Sequence, residues 1–372
     1  MTNVVVVDVK GVVTQSGLDV LTRHADYGVA LRRISPNSRL IILSKKNTHD
    51  HNLKQDMELV CTNSLFEFFT EGRQLLQKMD GDTLLVSGDP WESFLACKIL
   101  LKLSNMKFPI QVQLHADVSS QNWRHLNWRN RVRSFLLKPA IRQAAQLRLV
   151  SNTQLENLER MLPGVTRKAV VIPVPIKMDP NWRESRKSQN ICSIAIVGRI
   201  HKDRGLEEFL RVCKVLSERY KTLRIQIVGH GPHELWLKKS LNESGLSDSA
   251  IFYGYKDQQE LWSMWQKFGC VASFAPSEAF GRSAREALIY GVPVLAMNSS
   301  GLIELGKTLG GKGFWLLDGL SDDQIRDIFG LASNFIVDIK ISEALVGEVN
   351  TLNEKLAKSW ILGAMLHVPG KK

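Results

Sequence analysis

Two glutamates, Glu278 and Glu286, stand with seven residues between them in the stretch SEAFGRSAREALIYGVPVL. Strand-forming residues precede Pro276, and the residues from Ser283 onward favour a helix that ends at Gly291. Glu278 is therefore predicted on a strand-to-helix loop, and Glu286 about one turn inside the helix. Because carboxylates accept hydrogen bonds from hydroxyl groups, this pair suits a ligand with a sugar on one side and a ribose on the other.

The start of this helix is predicted to bind an anion. The N–H groups near Phe280, Gly281 and Arg282 lack partners within the helix, and the helix dipole favours negative charge there. Gly281 lets a ligand approach the backbone closely. The alternative is purely structural: the dipole alone favours a glutamate in a first turn, and Glu286 pairs with a neighbouring arginine.

A cationic loop follows the strand that ends at Gly198. It carries Arg199, Lys202 and Arg204, and arginine binds phosphate groups bidentately. The loop therefore suits a diphosphate, with a solvated basic loop as the alternative. A further strand ends in VGHGP, where Gly229 allows close backbone approach. No GxxxxGK[ST] loop is present, so ATP hydrolysis of that type is not expected.

The elements that must position these residues alternate between strand and helix patterns, which predicts an α/β fold with two doubly wound, Rossmann-like domains facing a central cleft. The strand-like runs are, in order, NVVVVDV, RLIILS, DTLLVSG, IQVQLHA, LRLVS, SIAIVGRI, LRIQIVGHG, AIFYGY, CVASFAP, VPVLAMNS and GFWLLDG. A proline-rich segment near Val171 indicates a linker. The predicted domains are 1–175, on the acceptor side, and 176–350, on the donor side, with a C-terminal helix or tail, 351–372, returning to the first.

The composition narrows the class of protein. The chain has 372 residues, a net charge of +12 and five scattered cysteines, none at metal-ligand spacing. The N-terminal apolar run is broken at Asp8 and has no basic leader, and no run reaches the roughly 18 residues of a membrane span. These features predict a cytoplasmic protein with reduced thiols and an anionic partner.

Together the motifs resemble the retaining glycosyltransferases of family 4, which have the GT-B fold. The resemblance rests on VGRIHKDRGLEEFL, IVGHGP, FYGY, APSEAFGRSAREALIYGVPVLA and SSGLIEL, spread over residues 197–305. It implies that Glu278 binds the donor sugar, that Glu286 binds the nucleotide ribose, and that Arg199 and Arg204 bind the diphosphate. The family usually has lysine in place of Arg204. It also commonly has an acidic residue where VGHGP has His230, so that side chain is given no role.

The resemblance implies a full set of site residues. Those assigned to catalysis are His115, Arg199, Arg204 and Glu278. Those assigned to donor binding are Gly17, Gly198, Arg199, Arg204, Gly229, Tyr255, Glu278, Phe280, Gly281, Arg282 and Glu286. Transfer in this family is viewed as same-face attack, with the leaving diphosphate assisting deprotonation of the acceptor. Cationic groups then stabilise the leaving group, so neither a metal nor a cofactor beyond the nucleotide-sugar substrate is expected.

The N-terminal half resembles a bacterial surface-polysaccharide branch of the family more loosely. The segments concerned are GDPWES and the stretch from QVQLHADVSS to LRLVSN. His115 and Asp117 follow a strand and are predicted to face the cleft and contact donor or acceptor, although a histidine at a strand end is often only a hydrogen-bonded polar residue. Gly17 stands where such enzymes have a glycine-rich loop.

A basic segment, Val118 to Val150, has seven cations and no acidic residue. As one helix it would align Arg124, Arg131, Lys138 and Arg142 beside Trp128 and Phe135. Cations interleaved with aromatics predict contact with an anionic membrane surface that holds a lipid-linked acceptor, so the protein would be peripheral on the inner membrane face. A solvated helix with aromatic core residues is the alternative.

The expected partners are a nucleotide-sugar and a glycan or lipid-linked acceptor, and nucleic acid is not expected because no recognised module for it is present. Three other functions stay open on the sequence: a GT-B relative that binds without catalysis, a GT-B sugar-nucleotide epimerase, and a GT-B phosphorylase. The nucleotide, the sugar and the acceptor are left unspecified.

Overall fold

The computed structural model describes residues 1–15, 18–45, 57–125, 128–309 and 311–366. The chain divides into two compact units, the first made of Met1–Pro175 with Thr351–Lys372 and the second of Ile176–Asn350. Among the described residues, no helix combines the length and the apolar character needed to cross a bilayer.

Within the described ranges, the first unit contains a seven-stranded sheet in the order β3-β2-β1-β4-β5-β6-β7, and its strand pairs are parallel. The strands are β1 Thr2–Asp8, β2 Arg39–Ser44, β3 Glu58–Cys61, β4 Asp82–Ser87, β5 Ile110–Leu114, β6 Gln146–Leu149 and β7 Ala169–Val171. The strand order reverses direction at β1, as in Rossmann-like domains. Because all the pairs are parallel, the carboxyl ends of the strands share one edge of the sheet.

Helices cover both faces of this sheet. They are α1 Val12–Gln15, α2 Leu18–Ile34, α3 Leu65–Gln77, α4 Glu92–Ser104, α5 Gln121–His125, α6 Trp128–Gln143, α7 Asn152–Met161 and, from the end of the chain, α15 Leu352–Ala364. One apolar cluster holds residues of α3, α4, α6 and α7, and another holds residues of α2 and α15. Burial on both faces explains why the strand sequences are almost continuously apolar.

A buried polar layer joins α15 to the sheet. Gln111 Oε1 accepts a hydrogen bond from Trp360 Nε1 (2.9 Å), and Gln111 Nε2 donates to Gln146 Oε1 (2.5 Å). Arg148, only 1% exposed, donates through Nε to Ile172 O (3.0 Å) and through Nη2 to Pro173 O (2.9 Å). These contacts satisfy buried polar groups that would otherwise be costly, and the bond between Trp360 and Gln111 attaches α15 to the sheet.

Within the described ranges, the second unit contains a six-stranded parallel sheet in the order β10-β9-β8-β11-β12-β13. The strands are β8 Ser193–Val197, β9 Arg224–Val228, β10 Ala250–Gly254, β11 Cys270–Ser273, β12 Val294–Ala296 and β13 Phe314–Leu316. The helices are α8 Leu206–Arg219, α9 Glu234–Glu243, α10 Gln258–Met264, α11 Arg282–Ile289, α12 Ser300–Leu309, α13 Asp322–Ser333 and α14 Ile339–Asn350.

The predicted α/β fold of two doubly wound, Rossmann-like domains is confirmed by these two sheets. The strands β3 and β7 were not among the predicted runs. Each lies at an edge of the first sheet and is short, at four and three residues. Pairing with a neighbouring strand, rather than local sequence, defines them.

Candidate functional site

The carboxylate of Glu278 binds the backbone amides at the start of α11. Gly281, with a φ of 75°, precedes the helix, and a Cβ there would lie 2.8 Å from Leu302 Cδ2. Glu278 Oε1 accepts hydrogen bonds from the amides of Gly281 (3.0 Å) and Phe280 (3.4 Å). The prediction that these amides are unpaired is therefore wrong, although the site does bind a negative group as expected for a helix start.

The cationic loop meets the same carboxylate. Arg204 Nη1 lies 2.9 Å from Glu278 Oε2, and both side chains are largely shielded from water. A cavity of only about 20 Å³ remains between Gly198, Arg204, Glu278 and Ser283. That volume holds about one water molecule. A diphosphate that takes the Arg204 nitrogen now bound by Glu278 must displace that carboxylate.

Arg199 is the more exposed of the two predicted diphosphate ligands. Its side chain is 60% exposed, and its Nη2 lies 2.9 Å from Asp203 Oδ2. Asp203 is also 2.7 Å from His201 Nδ1. Both arginines are therefore paired with carboxylates in this structure, and a solvent-exposed pair such as Arg199–Asp203 contributes little to stability.

Glu286 lies inside α11 and is nearly fully buried. Its Oε1 accepts a hydrogen bond from Arg282 Nε (2.7 Å), while Arg282 Nη2 donates to Gln258 Oε1 (2.6 Å). The structural alternative, a glutamate paired with a neighbouring arginine, is thus the arrangement seen here. The second oxygen of the Glu286 carboxylate is also a hydrogen-bond acceptor.

Two of the predicted donor-site glycines, Gly198 and Gly229, pack against each other. Gly229 has a φ of 133°, and a Cβ there would lie 1.8 Å from the carbonyl oxygen of Gly198. The strand-end loops of β8 and β9 could not approach so closely with any side chain at this position. The neighbouring His230 is exposed and lies 2.8 Å from Glu234, while Tyr255 is 60% exposed.

His115 and Asp117 belong to the first unit and lie just after β5. His115 Nε2 donates to Gln113 Oε1 (3.0 Å). His115 keeps part of its surface in contact with solvent. Desolvation by the surrounding protein and, next, the charge of Arg148 lower the pKa of His115 to about 3. The imidazole is therefore neutral at pH 7. Asp117 is buried and accepts a hydrogen bond from Ser119 Oγ (2.5 Å).

The contacts predicted for His115 and Asp117 with donor or acceptor remain predictions. Gly17 lies outside the described residues.

The basic segment differs from its predicted form. Arg124 belongs to α5, not to α6, and its Nη2 lies 3.1 Å from Met161 Sδ. The single stripe predicted through Arg124 is therefore wrong. Arg148 is buried, and Arg133 lies 2.6 Å from Glu92. Pro139 does not end α6, which continues to Gln143.

The outer face of α6 keeps four cations and several apolar side chains exposed. The apolar ones are Trp128 (69%), Val132 (51%), Phe135 (80%) and Leu136 (54%). The exposed cations are Arg129, Arg131, Lys138 and Arg142. None of these four forms an ion pair with a residue in the described part of the chain.

One buried residue near the site was missed by sequence reasoning. Arg285 is 4% exposed, its guanidinium lies 3.9 Å from the Phe280 ring centroid, and its Nη1 donates to the Phe280 carbonyl oxygen. Arg285 thereby fixes the loop before α11. The sequence did not indicate that Arg285 is buried, because arginine on a helix is usually solvated.

The described ranges contain no group of three or more His, Cys, Asp or Glu side chains arranged to hold a metal ion.

Solved glycosyltransferases share this architecture. HepE from Anabaena, solved with UDP and glucose, aligns with 97% of this chain and 100% of its own at a TM-score of 0.71 and 16% identity. WaaG, a glycosyltransferase involved in lipopolysaccharide biosynthesis, aligns with 96% of this chain and 99% of its own at a TM-score of 0.64 and 12% identity. With its two Rossmann-like domains, this chain has the GT-B fold.

The second unit is similar in sequence to glycosyltransferases. Residues 180–331 match the family model for Glycosyl transferases group 1. Similar curated proteins include the uncharacterized glycosyltransferase YqgM of Bacillus subtilis, 26% identical over 37% of this chain and 38% of its own. Another is the 2-deoxystreptamine glucosyltransferase of Streptomyces kanamyceticus, 27% identical over 44% of this chain and 46% of its own. The chain spans less than half the length of these relatives.

Proposed function

We propose that this protein is a retaining glycosyltransferase. It moves a sugar from a nucleoside-diphosphate sugar to a glycan or lipid-linked acceptor in cell-surface polysaccharide synthesis. The observation that carries the proposal is the contact of Arg204 with Glu278 at the start of α11, with Glu286 buried about one turn further along the helix. The glycosyltransferase domain match covers all three residues.

When the donor binds, its diphosphate replaces the Glu278 carboxylate at the start of α11. Glu278 occupies the Phe280 and Gly281 amides and one nitrogen of Arg204. A phosphate is an acceptor for the same amide and guanidinium donors. When the diphosphate takes these contacts, the Glu278 carboxylate is released toward the sugar hydroxyls, and Glu286 accepts hydrogen bonds from the ribose.

The reaction then replaces one bond at the anomeric carbon with another on the same face of the sugar. The bond to the β-phosphate oxygen breaks, the acceptor hydroxyl oxygen forms the new bond, and its proton passes to the leaving diphosphate. Arg199 and Arg204 stabilise the charge that develops on that diphosphate. Two guanidinium groups supply the positive charge, so the proposal includes metal-independent transfer.

The test is a transfer assay with UDP-, GDP- and ADP-glucose, with UDP first because it is bound in the HepE structure. NMR of the product should show the anomeric configuration of the donor, and turnover should persist in EDTA. An inverted product would contradict retention, and loss of turnover in EDTA that magnesium restores would contradict metal independence. An isomerised nucleotide-sugar would indicate an epimerase, phosphorolysis a phosphorylase, and binding without turnover a non-catalytic protein.

The proposed location is the cytoplasmic face of the membrane, with α6 against the lipid. Its exposed face combines Trp128 and Phe135 with the cations Arg129, Arg131 and Lys138. Aromatic side chains suit the headgroup region, and cations are attracted to anionic lipid. A lipid-linked acceptor would reach the protein there.

Replacing Arg129, Arg131 and Lys138 with glutamine should release the protein from anionic vesicles at low salt. Each cation near an anionic leaflet contributes about 1 kcal/mol, so three account for roughly a hundredfold change in partitioning. Vesicle co-sedimentation measures it. Donor affinity should stay unchanged, because the donor residues lie in the second unit.

The matched control replaces Arg73, Lys78 and Arg167, three exposed cations of the same unit that do not lie on α6, with glutamine. It should bind vesicles like the wild type. Equal loss in both variants would mean that only net charge matters, and no wild-type binding at low salt would remove α6 as a membrane contact.

A further inference from the structure

A cavity of about 840 Å³ opens in the first unit, at the edge of the sheet opposite His115. It lies at the amino end of β5 and beside the last turns of α4 and α6. Its volume falls within the roughly 300–1,000 Å³ typical of small-molecule sites. Neither the donor residues nor His115 line it, so the proposed function gives it no role.

The wall of the cavity is apolar. Leu101 and Phe108 pack against the core of the unit on one side and line the cavity on the other. Met106 and Leu366 complete this surface, and Leu366 is 41% exposed. The turn that brings Met106 and Phe108 back over the end of α4 begins at Asn105, which has the left-handed φ of 56°.

Four cations surround this apolar wall, and among the described residues that line the cavity there is no acid. They are Lys98, Lys102, Lys107 and Arg142. All four are exposed, and none forms an ion pair in the described part of the chain. Such a concentration of unpaired like charges around one apolar cavity raises the local positive potential.

The helix ends nearby do not neutralise these cations. The carboxyl ends of α4 and α6 each carry roughly half a negative charge. The carbonyls of Ile141 and Arg142 in α6, and of Ala144 just after it, moreover already accept hydrogen bonds from Lys168 Nζ at 2.5–3.0 Å. Four side-chain cations against about one unit of dipole charge leave a positive excess of about three.

We propose that this cavity binds an anionic lipid, with a phosphate head between the cations and an alkyl chain along the apolar wall. A free phosphate would leave the apolar wall uncovered, and a neutral lipid would leave the cations without a counter-charge. The segment after Leu366, HVPGKK, has two lysines and no acidic residue. Repulsion between like charges therefore disfavours this segment as the occupant of the cavity. The proposal does not depend on sugar transfer.

The experiment is titration calorimetry of the full chain with decyl phosphate, kept below its micelle concentration. The wild type should bind it saturably. Shortening the chain to octyl phosphate should weaken binding roughly ten- to fifteenfold, because two methylenes leave the apolar wall. Replacing Lys98, Lys102 and Arg142 with glutamine should weaken decyl phosphate binding by roughly tenfold or more, through loss of charge-assisted contacts.

The control is the variant with glutamine at Arg73, Lys78 and Arg167, which removes the same number of charges outside both the cavity and α6 and should keep wild-type affinity for decyl phosphate. Unfolding temperatures of both variants check that the fold is intact. The proposal is overturned if the control loses affinity equally, if decanol binds as tightly as decyl phosphate, if inorganic phosphate alone binds as tightly, or if decyl phosphate does not bind the wild type.

Discussion

Replacing Arg204 with alanine should lower kcat for sugar transfer by roughly 100- to 1,000-fold, the range measured when one preorganised donor to a developing anion is removed. Arg204 is the better shielded of the two cations of the loop, with 35% of its side chain exposed against 60% for Arg199. Its guanidinium therefore acts in a medium that screens charge less than bulk water. The measurement is steady-state kinetics with the most active of UDP-, GDP- and ADP-glucose.

Two further variants separate charge from structure. Arg204→Lys keeps the charge but not the bidentate geometry, so its kcat should fall between those of the wild type and Arg204→Ala. Arg211→Ala removes an exposed arginine of the same unit that pairs with Glu208 and Asp322, and it should leave kcat near the wild-type value. A kcat for Arg204→Ala within about threefold of wild type would remove this residue from the chemistry, since that is under 1 kcal/mol of barrier.

The fold was readable because parallel strands buried on both faces leave long β-branched runs. RLIILS matches β2 from Arg39 to Ser44, and SIAIV matches β8 from Ser193 to Val197. The edge strand β7 has three residues, and its pairing with β6 defines it more than its own sequence does. Local patterns carry no information about such pairing partners, which lie far away in the chain.

The site was readable in its residue types but not in its contacts. Spacing placed Glu278 before α11 and Glu286 inside it, and both positions are observed. Glu278 folds back onto the amide of Gly281, and it pairs with Arg204, which lies 74 positions away in the chain. The burial of Arg148 in the basic segment was not predictable for a similar reason. Arg148 contacts Gln113 and the carbonyl of Ile172, which only the folded sheet brings together.

Replacing Glu286 with alanine should weaken binding of UDP by about 100-fold, because two ribose hydroxyls lose a charged acceptor at roughly 1.5 kcal/mol each. The carboxylate is 5% exposed on its side chain, so water cannot easily take its place. Titration calorimetry with UDP measures the change, and the unfolding temperature verifies that the fold survives. Glu286→Gln keeps one acceptor oxygen and should lie between the alanine variant and the wild type.

The competing explanation is that Glu286 only holds Arg282, and a second variant tests it from the other side. Gln258→Leu removes another partner of Arg282 without touching the carboxylate. If the ribose contact is the cause, Gln258→Leu should bind UDP within about threefold of wild type, under 1 kcal/mol, while Glu286→Ala does not. If orienting Arg282 is the cause, the two variants should weaken UDP binding to a similar extent. An unchanged Kd for Glu286→Ala would contradict both explanations and would place the ribose away from α11.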